Sequence, residues 1–177
     1  KHINHNNRCI IIGGGLGFIP TLAYHKSKNK VLVFEINKSI TKNLRKNLLR
    51  NKCRFTLFEK NLTLKNLKKK SIYFKSEDFL LTSQYLKTKK KFYVNNISKS
   101  KIKNFNKFNT LIVDGEGVEE YFINNLNHLK NIKYLIFEIH HNIFKKKDIL
   151  LMFKKLTKFN FIQIDKCFNS FIFCKKN

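Results

Sequence analysis

Cys9-Ile10-Ile11-Ile12-Gly13-Gly14-Gly15-Leu16-Gly17 is the stretch that decides the fold of this chain. Consecutive apolar residues running straight into glycine have the form of a strand buried on both faces, as in a parallel sheet. A helix is predicted after it, from about Phe18 to His25. Val31-Leu32-Val33-Phe34 repeats the pattern and ends in Glu35. Ile40, Leu44, Asn47, Leu48 and Asn51 then recur at near-helical spacing, and Arg54 to Phe58 reads as a third strand. This β-α-β-α-β order predicts an α/β, doubly wound, mostly parallel sheet with right-handed crossovers.

The later chain resumes the alternation. Thr110-Leu111-Ile112-Val113 reads as a buried strand ending in Asp114, followed by a helix from Val118 to Leu129 with Tyr121, Phe122, Leu126 and Leu129 on one face. Tyr134 to Ile139 makes a further strand and Lys147 to Lys158 a helix. Phe161 to Asp165 and Phe171 to Cys174 close the chain as an antiparallel pair. Between Lys60 and Asn109 the Lys runs at 65–70 and 87–91 leave little periodicity, and short strands are expected only at Ile72-Tyr73-Phe74 and Phe92-Tyr93-Val94. The whole reads as a single domain over residues 1–177, with 60–109 as a variable insertion on the substrate side. The chain opens on Lys1 without an initiator Met, and a trimmed N-terminus is expected.

Composition narrows the partners. The net charge of +26, from 37 basic and 11 acidic residues, is what codon drift toward A+T produces through Lys, and Lys is spread along the whole chain. Arg, the better residue for bidentate phosphate and guanine contacts, stands only at positions 8, 45, 50 and 54. Nucleic acid is therefore disfavoured as the main partner. If the Lys runs are functional, they suit an anionic small-molecule or glycan-type substrate, or peripheral contact with a membrane surface. Cys9, Cys53, Cys167 and Cys174 show no C-x-x-C pair and read as small buried thiols in a reducing, cytoplasmic compartment, with neither a disulfide frame nor a zinc site. The longest apolar runs fall far short of the about 20 residues that span a bilayer.

All six glycines fall in residues 13–17 or 115–117. Where drift removes Gly elsewhere, these mark places of positive φ or close backbone approach. Gly13, Gly15 and Gly17 satisfy G-x-G-x-G, whereas the dinucleotide pattern G-x-G-x-x-G would place its third glycine on Phe18. Glu35, ending the second strand, stands where a carboxylate accepts hydrogen bonds from ribose hydroxyls. Together these favour an adenosine-containing ligand, with a plain tight turn and a surface charge as the bland alternative.

Asp114-Gly115-Glu116-Gly117-Val118-Glu119 and Phe137-Glu138-Ile139-His140 add a second pair of motifs. With the first glycine cluster, Phe34-Glu35, Asn47 and Asn51, the chain resembles the FkbM family of S-adenosylmethionine-dependent methyltransferases, from about Cys9 to Cys174. The resemblance implies a class I methyltransferase-like, Rossmann-type sheet of seven strands with an antiparallel C-terminal strand. It further implies methyl transfer from S-adenosylmethionine to a hydroxyl of a sugar, glycan-type or other small substrate. On it, Gly13, Gly14, Gly15, Gly17, Phe18, Glu35, Ile36 and Asn61 would contact the cofactor, and Asp114 and His140 would be catalytic. The family's leading Asp falls on Ile11, its Ala-Asn on Gly14-Gly15, and its Pro on Ile36.

Asp114 suits both a ligand-facing carboxylate at the carboxyl edge of the sheet and a helix N-cap. Glu116 and Glu119 fall in the first helical turn, where the macrodipole favours negative charge, and read as structural. Strand alternation puts Glu138 and His140 on one side, where His140 could act as general base. His140 and His141 alone are too few to ligate a metal, so none is expected. Two further readings stay open: a degenerate cofactor-binding domain kept as an interaction module, favoured by Ile11, and a flavin or nicotinamide domain.

Overall fold

The computed structural model describes residues 2–67, 69–75, 82–83 and 91–176. Lys68 and residues 87–90 of the two Lys runs lie outside them. The elements are β1 (Cys9–Ile12), α1 (Phe18–Ser27), β2 (Val31–Phe34), α2 (Lys38–Arg50), β3 (Phe55–Phe58), β4 (Asn61–Thr63), β5 (Ser71–Lys75), β6 (Thr82–Ser83), β7 (Lys91–Val94) and β8 (Asn96–Ser98). There follow β9 (Thr110–Val113), α3 (Glu119–Asn124), β10 (Tyr134–Glu138), α4 (Lys146–Lys158), β11 (Phe161–Cys167) and β12 (Ser170–Lys175).

The main sheet has seven strands in the order β11-β12-β10-β9-β1-β2-β3. β12 alone is reversed, antiparallel to both β10 and β11. The chain winds from β1 outward through β2 and β3, then returns to β9 on the other side of β1 and winds outward again. The switch point therefore falls between β1 and β9, and in such sheets ligands bind beyond the carboxyl ends of the strands there. This is the mostly parallel, doubly wound class I methyltransferase-like sheet with an antiparallel C-terminal strand.

Alternation along the strands explains why the central ones are apolar throughout. Ile10, Ile12, Leu32, Phe34, Leu111 and Val113 enter a larger core with Phe122 and Ile123 of α3 and Met152 and Leu156 of α4. Cys9, Ile11, Val31, Val33 and Ile112 face the other way, onto Ala23 of α1 and Leu44 and Leu48 of α2. Each such strand is covered on both faces, so the positions are apolar, save Thr110 at the start of β9, whose hydroxyl accepts from Asn7 Nδ2 at 2.8 Å. α2 presents Ile40, Leu44 and Leu48 at four-residue spacing, and Asn37 caps it by accepting from Ser39 N at 3.2 Å, worth about 1 kcal/mol.

Between β3 and β9 the chain builds two small sheets, a parallel β4-β8 pair and an antiparallel β6-β5-β7 ribbon. Leu62, Leu64, Tyr73, Val94, Ile102 and Phe105 pack this segment into the larger core.

The predicted helix from Val118 to Leu129 is corrected: α3 ends at Asn124, and Leu126–His128 form a separate 3-10 turn. Asn125 causes the break, with φ −122 and ψ 27, and its side-chain amide donates to Tyr121 O at 2.8 Å in place of a continuing helix. Phe122, Leu126 and Leu129 nonetheless reach the core. The reading of four buried thiols is corrected in part: all four cysteines are free, and Cys9 and Cys53 are buried, but Cys167 is exposed and Cys174 half-buried. Among the described residues, no helix is long and apolar enough to cross a membrane.

Candidate functional site

The carboxyl ends of β1, β2, β9 and β10 meet at one edge, and the two glycine segments meet there too. Gly13 has φ +83, and a Cβ on it would lie 1.7 Å from the carbonyl oxygen of Asp114. The backbone after β1 and the backbone after β9 touch at a separation no other residue allows. Gly15 is different: its φ is +52, but nothing lies within 4 Å of the place its Cβ would occupy. It borders open space, as a ligand-facing glycine must. Gly14 abuts Leu44 and Val33, and Gly17 is the N-cap of α1. Asn47 of α2 fastens the loop by donating to Leu16 O at 2.8 Å. Phe18 is 77% exposed on the first turn of α1.

Glu35 is 5% exposed at the end of β2. Its two carboxylate oxygens accept from Gly15 N at 2.9 Å and Asn37 N at 2.8 Å. Burial pushes its carboxyl above the usual range, while the backbone donors work against the shift. The backbone N–H groups of Ile36 and Gly14 also bear on the carboxylate, so a hydroxyl donor would share its about four lone-pair sites with them. Beside it a hollow of about 30 Å³ is bounded by Gly13, Glu35, Ile36, Asn61, Tyr73 and Gly115. Asn61 is held by the insertion: its amide donates to Ser71 Oγ and Asn96 Oδ1, and its oxygen accepts from Tyr73 OH at 3.0 Å. Across Ile36 lies a groove of about 510 Å³ that includes Lys38, Glu59, Lys70, Lys91 and Phe92.

A second group forms at the ends of β9 and β10. His140 Nε2 lies 3.4 Å from Glu116 Oε1 and 3.8 Å from Asp114 Oδ1, and Nδ1 lies 3.2 Å from Glu119 Oε1. The Nδ1 approach is an ion-pair contact without hydrogen-bond alignment, since neither Nδ1 nor Glu119 Oε2 has a hydrogen-bond partner. Glu119 Oε1 also accepts from Gly115 N at 3.3 Å. Glu138 joins the group, with ligand atoms of Asp114, Glu138 and His140 all within 4.8 Å of one another. Burial alone would lower the His140 pKa, but Glu116 and Glu119 reverse it and carry it up to about 10. Burial, with the Glu138 charge next, pushes Asp114 up to about 6, against the pull of His140. Glu116 sits at φ +50, a strained conformation for a non-glycine residue, and strain of this kind concentrates at functional sites.

The structure thus brings Gly13, Glu35, Ile36 and Asn61 around one hollow, ties Gly15 to it through its N–H to Glu35, and gathers Asp114 and His140 into one charged group. His141 is exposed outside it. Sequence reasoning missed that Glu119, taken for a macrodipole partner, is buried against the imidazole. Its place in D-x-E-G-x-E, ahead of a strand ending in Glu-Ile-His, was the available signal.

The fold is that of class I, Rossmann-type methyltransferases. A precorrin-6y C5,15-methyltransferase from Geobacter metallireducens superposes with TM-score 0.60 at 10% identity, over 99% of this chain and 83% of that one. TrmK of M. capricolum, solved in complex with S-adenosylhomocysteine, gives TM-score 0.56 at 13% identity, covering 99% and 65% of the two chains. An uncharacterized protein from Listeria monocytogenes serotype 4b gives 0.60 at 10% identity over 99% of this chain, which spans 64% of that protein's length. No family model and no curated protein matches the sequence.

The resemblance to the FkbM family is therefore corrected: what the chain shares with known proteins is the class I methyltransferase fold, carried by structures such as these. The glycine loop and the acid after strand two follow from the sheet's architecture and do not single out one family. The short acidic motifs, which pointed to FkbM, hold the turn after β9 and the charged group around His140.

Proposed function

We propose that the protein transfers a methyl group from S-adenosylmethionine to a small acceptor. The observation that carries this reading is Glu35, a buried carboxylate fixed at the end of β2 against the N–H of Gly15, beside the switch point. Glu35 would hold the ribose hydroxyls and the glycine loop would pass under the adenosyl group. The donor set fits such a cofactor. The space is narrow, since a hollow of about 30 Å³ is far below the roughly 300 Å³ at which small-molecule sites begin. Admission of the nucleoside therefore requires Tyr73 and Asn61 to draw back toward the 510 Å³ groove.

When bound, the cofactor supplies an electrophilic methyl group, and the chain's task is positioning. Asp114 and His140 stand at the same edge, beyond the adjacent strand, where an acceptor would lie. Their carboxylate and imidazole suit hydrogen bonds to a hydroxyl, as on a sugar. An anionic acceptor would find Lys38, Lys70 and Lys91 along the groove. The flavin or nicotinamide alternative is disfavoured by β12, since a reversed strand inside the sheet departs from the parallel dinucleotide fold.

Calorimetry with S-adenosylmethionine and S-adenosylhomocysteine tests the reading. Saturable binding that weakens at least tenfold in Glu35→Ala supports it, and binding indifferent to that change removes Glu35 from the site. The second reading, a degenerate interaction module, draws on the narrow hollow. It gains ground if neither compound binds at millimolar concentration.

A further inference from the structure

Four carboxylates, those of Asp114, Glu116, Glu119 and Glu138, gather around one imidazole. Even with His140 protonated, the group carries an excess of negative charge. Among the described residues, no Lys or Arg forms a salt bridge with Asp114, Glu119 or Glu138, although the chain carries 37 of them. Buried charge persists where it is paired or where it coordinates a metal. Crowded carboxylates alone do not make a site, but here an imidazole joins two of them, with ligand atoms of Asp114, Glu138 and His140 all within 4.8 Å of one another. Glu119 is 1% exposed, and its Oε2 has no hydrogen-bond partner.

The directions of the groups are those of a metal centre. Glu119 meets His140 at Nδ1, which leaves Nε2 facing Glu116 at 3.4 Å and Asp114 at 3.8 Å. Proteins commonly orient a ligating His by a carboxylate on one ring nitrogen with the ion on the other, and a small rotation of the Glu119 side chain would align its contact with Nδ1 in that way. Donor atoms of Asp114, Glu138 and His140 lie within 4.8 Å of one another. Ligands about 2.2 Å from a common ion are separated by at most about 4.4 Å, so small side-chain rotations complete the set. The Asp114 side chain is 42% exposed, which gives an ion a way in and leaves room for water or an acceptor oxygen.

We propose that Asp114, Glu138 and His140 form a divalent-cation site, with Glu119 as the positioning residue behind His140. Two carboxylates and one imidazole are hard to borderline donors, suited to Mn²⁺, Mg²⁺ or Zn²⁺ and poorly suited to thiophilic ions. Glu138 and Asp114 supply the ligands that the His140–His141 pair lacks. The site stands on geometry independent of the cofactor, and its occupancy is read without any nucleoside present. On the methyl-transfer reading, an ion there would hold an acceptor oxygen beyond the switch point.

The experiment is a titration of the whole, metal-stripped protein with Mn²⁺ chloride, followed by electron paramagnetic resonance and calorimetry. One saturable site per chain is expected, weakened at least tenfold in both Glu138→Gln and His140→Ala. Asp148→Asn, in the first turn of α4, should leave it unchanged. Binding should also raise the parent's thermal midpoint, and the rise should vanish in Glu138→Gln. If His140→Ala fails to fold by circular dichroism, Glu138→Gln decides. Absence of saturable Mn²⁺ binding, or binding that Glu138→Gln leaves intact, overturns the proposal. Failure of S-adenosylhomocysteine to bind while Mn²⁺ does would count against the methyl-transfer reading alone.

Discussion

The two halves of the site edge handle negative charge in opposite ways. At the end of β2 one carboxylate, Glu35, has each oxygen met by a backbone N–H group. At the ends of β9 and β10 several carboxylates share one imidazole, and Glu119 Oε2 goes without a partner. The first half is a finished piece of backbone architecture that a ligand has to open. The second is under-neutralised and invites a positive ligand. Gly13 joins them, since the backbone of one half rests on that of the other.

That junction gives the largest expected effect. Gly13→Ala combines positive-φ strain with a steric collision against the Asp114 carbonyl and should cost about 4 kcal/mol or more. Gly15→Ala, with open space around it, should cost about 1 kcal/mol from its backbone conformation alone. Urea unfolding of the two variants measures the contrast, and equal losses would break the claim that only Gly13 is a point of contact.

Next comes the imidazole. His140→Ala strips the fully buried Glu119 carboxylate of its counter-charge and should destabilise the fold by about 3 kcal/mol at neutral pH. Adding Glu119→Gln should restore part of the loss. A double-mutant cycle reads the coupling, and strictly additive losses would show that the two groups do not sense each other.

The fold was legible in the sequence because its information is local. Runs such as Cys9–Ile12 and Leu111–Val113 are apolar at every position, and they end in Gly13 or Asp114 where the chain must turn. Glu35 and the glycines were readable for the same reason. Between β3 and β9 the strands expected at Ile72-Tyr73-Phe74 and Phe92-Tyr93-Val94 are present as β5 and β7, but the rest was not legible, because β4 pairs with β8 across 35 residues of sequence, Asn61 to Asn96, and nothing local encodes that register. The break at Asn125 was hidden because the apolar spacing of Phe122, Leu126 and Leu129 survives it. The closeness of Gly13 to Asp114 and of Glu119 to His140 depends on strand order, which no single motif carries.

Tyr73 gives a smaller, sharper test of the first half. Tyr73→Phe removes the hydrogen bond to Asn61 and should cost about 1 kcal/mol in urea unfolding. If the Tyr73–Asn61 contact shuts the hollow, the same variant should bind S-adenosylhomocysteine several-fold more tightly than the parent. Unchanged affinity would show that the contact is no barrier.

The smallest effect is a pH dependence. Burial holds the folded-state pKa of Glu35 above its unfolded value, so the native state keeps its proton to higher pH. The associated stability is fully present below the unfolded pKa and is lost as pH rises through the folded one. Urea midpoints across the acid range should show this decline in the parent and lack it in Glu35→Ala.

The central claim is that the β1–β2 half of the edge receives an adenosyl group. Titration of ¹⁵N-labelled protein with S-adenosylhomocysteine tests it most directly, through the amide resonances of Gly15 and Asn37, whose N–H groups now point at Glu35. Saturable shifts of both amides, lost in Glu35→Ala, are the predicted result. Saturable shifts elsewhere with Gly15 and Asn37 unmoved would contradict it.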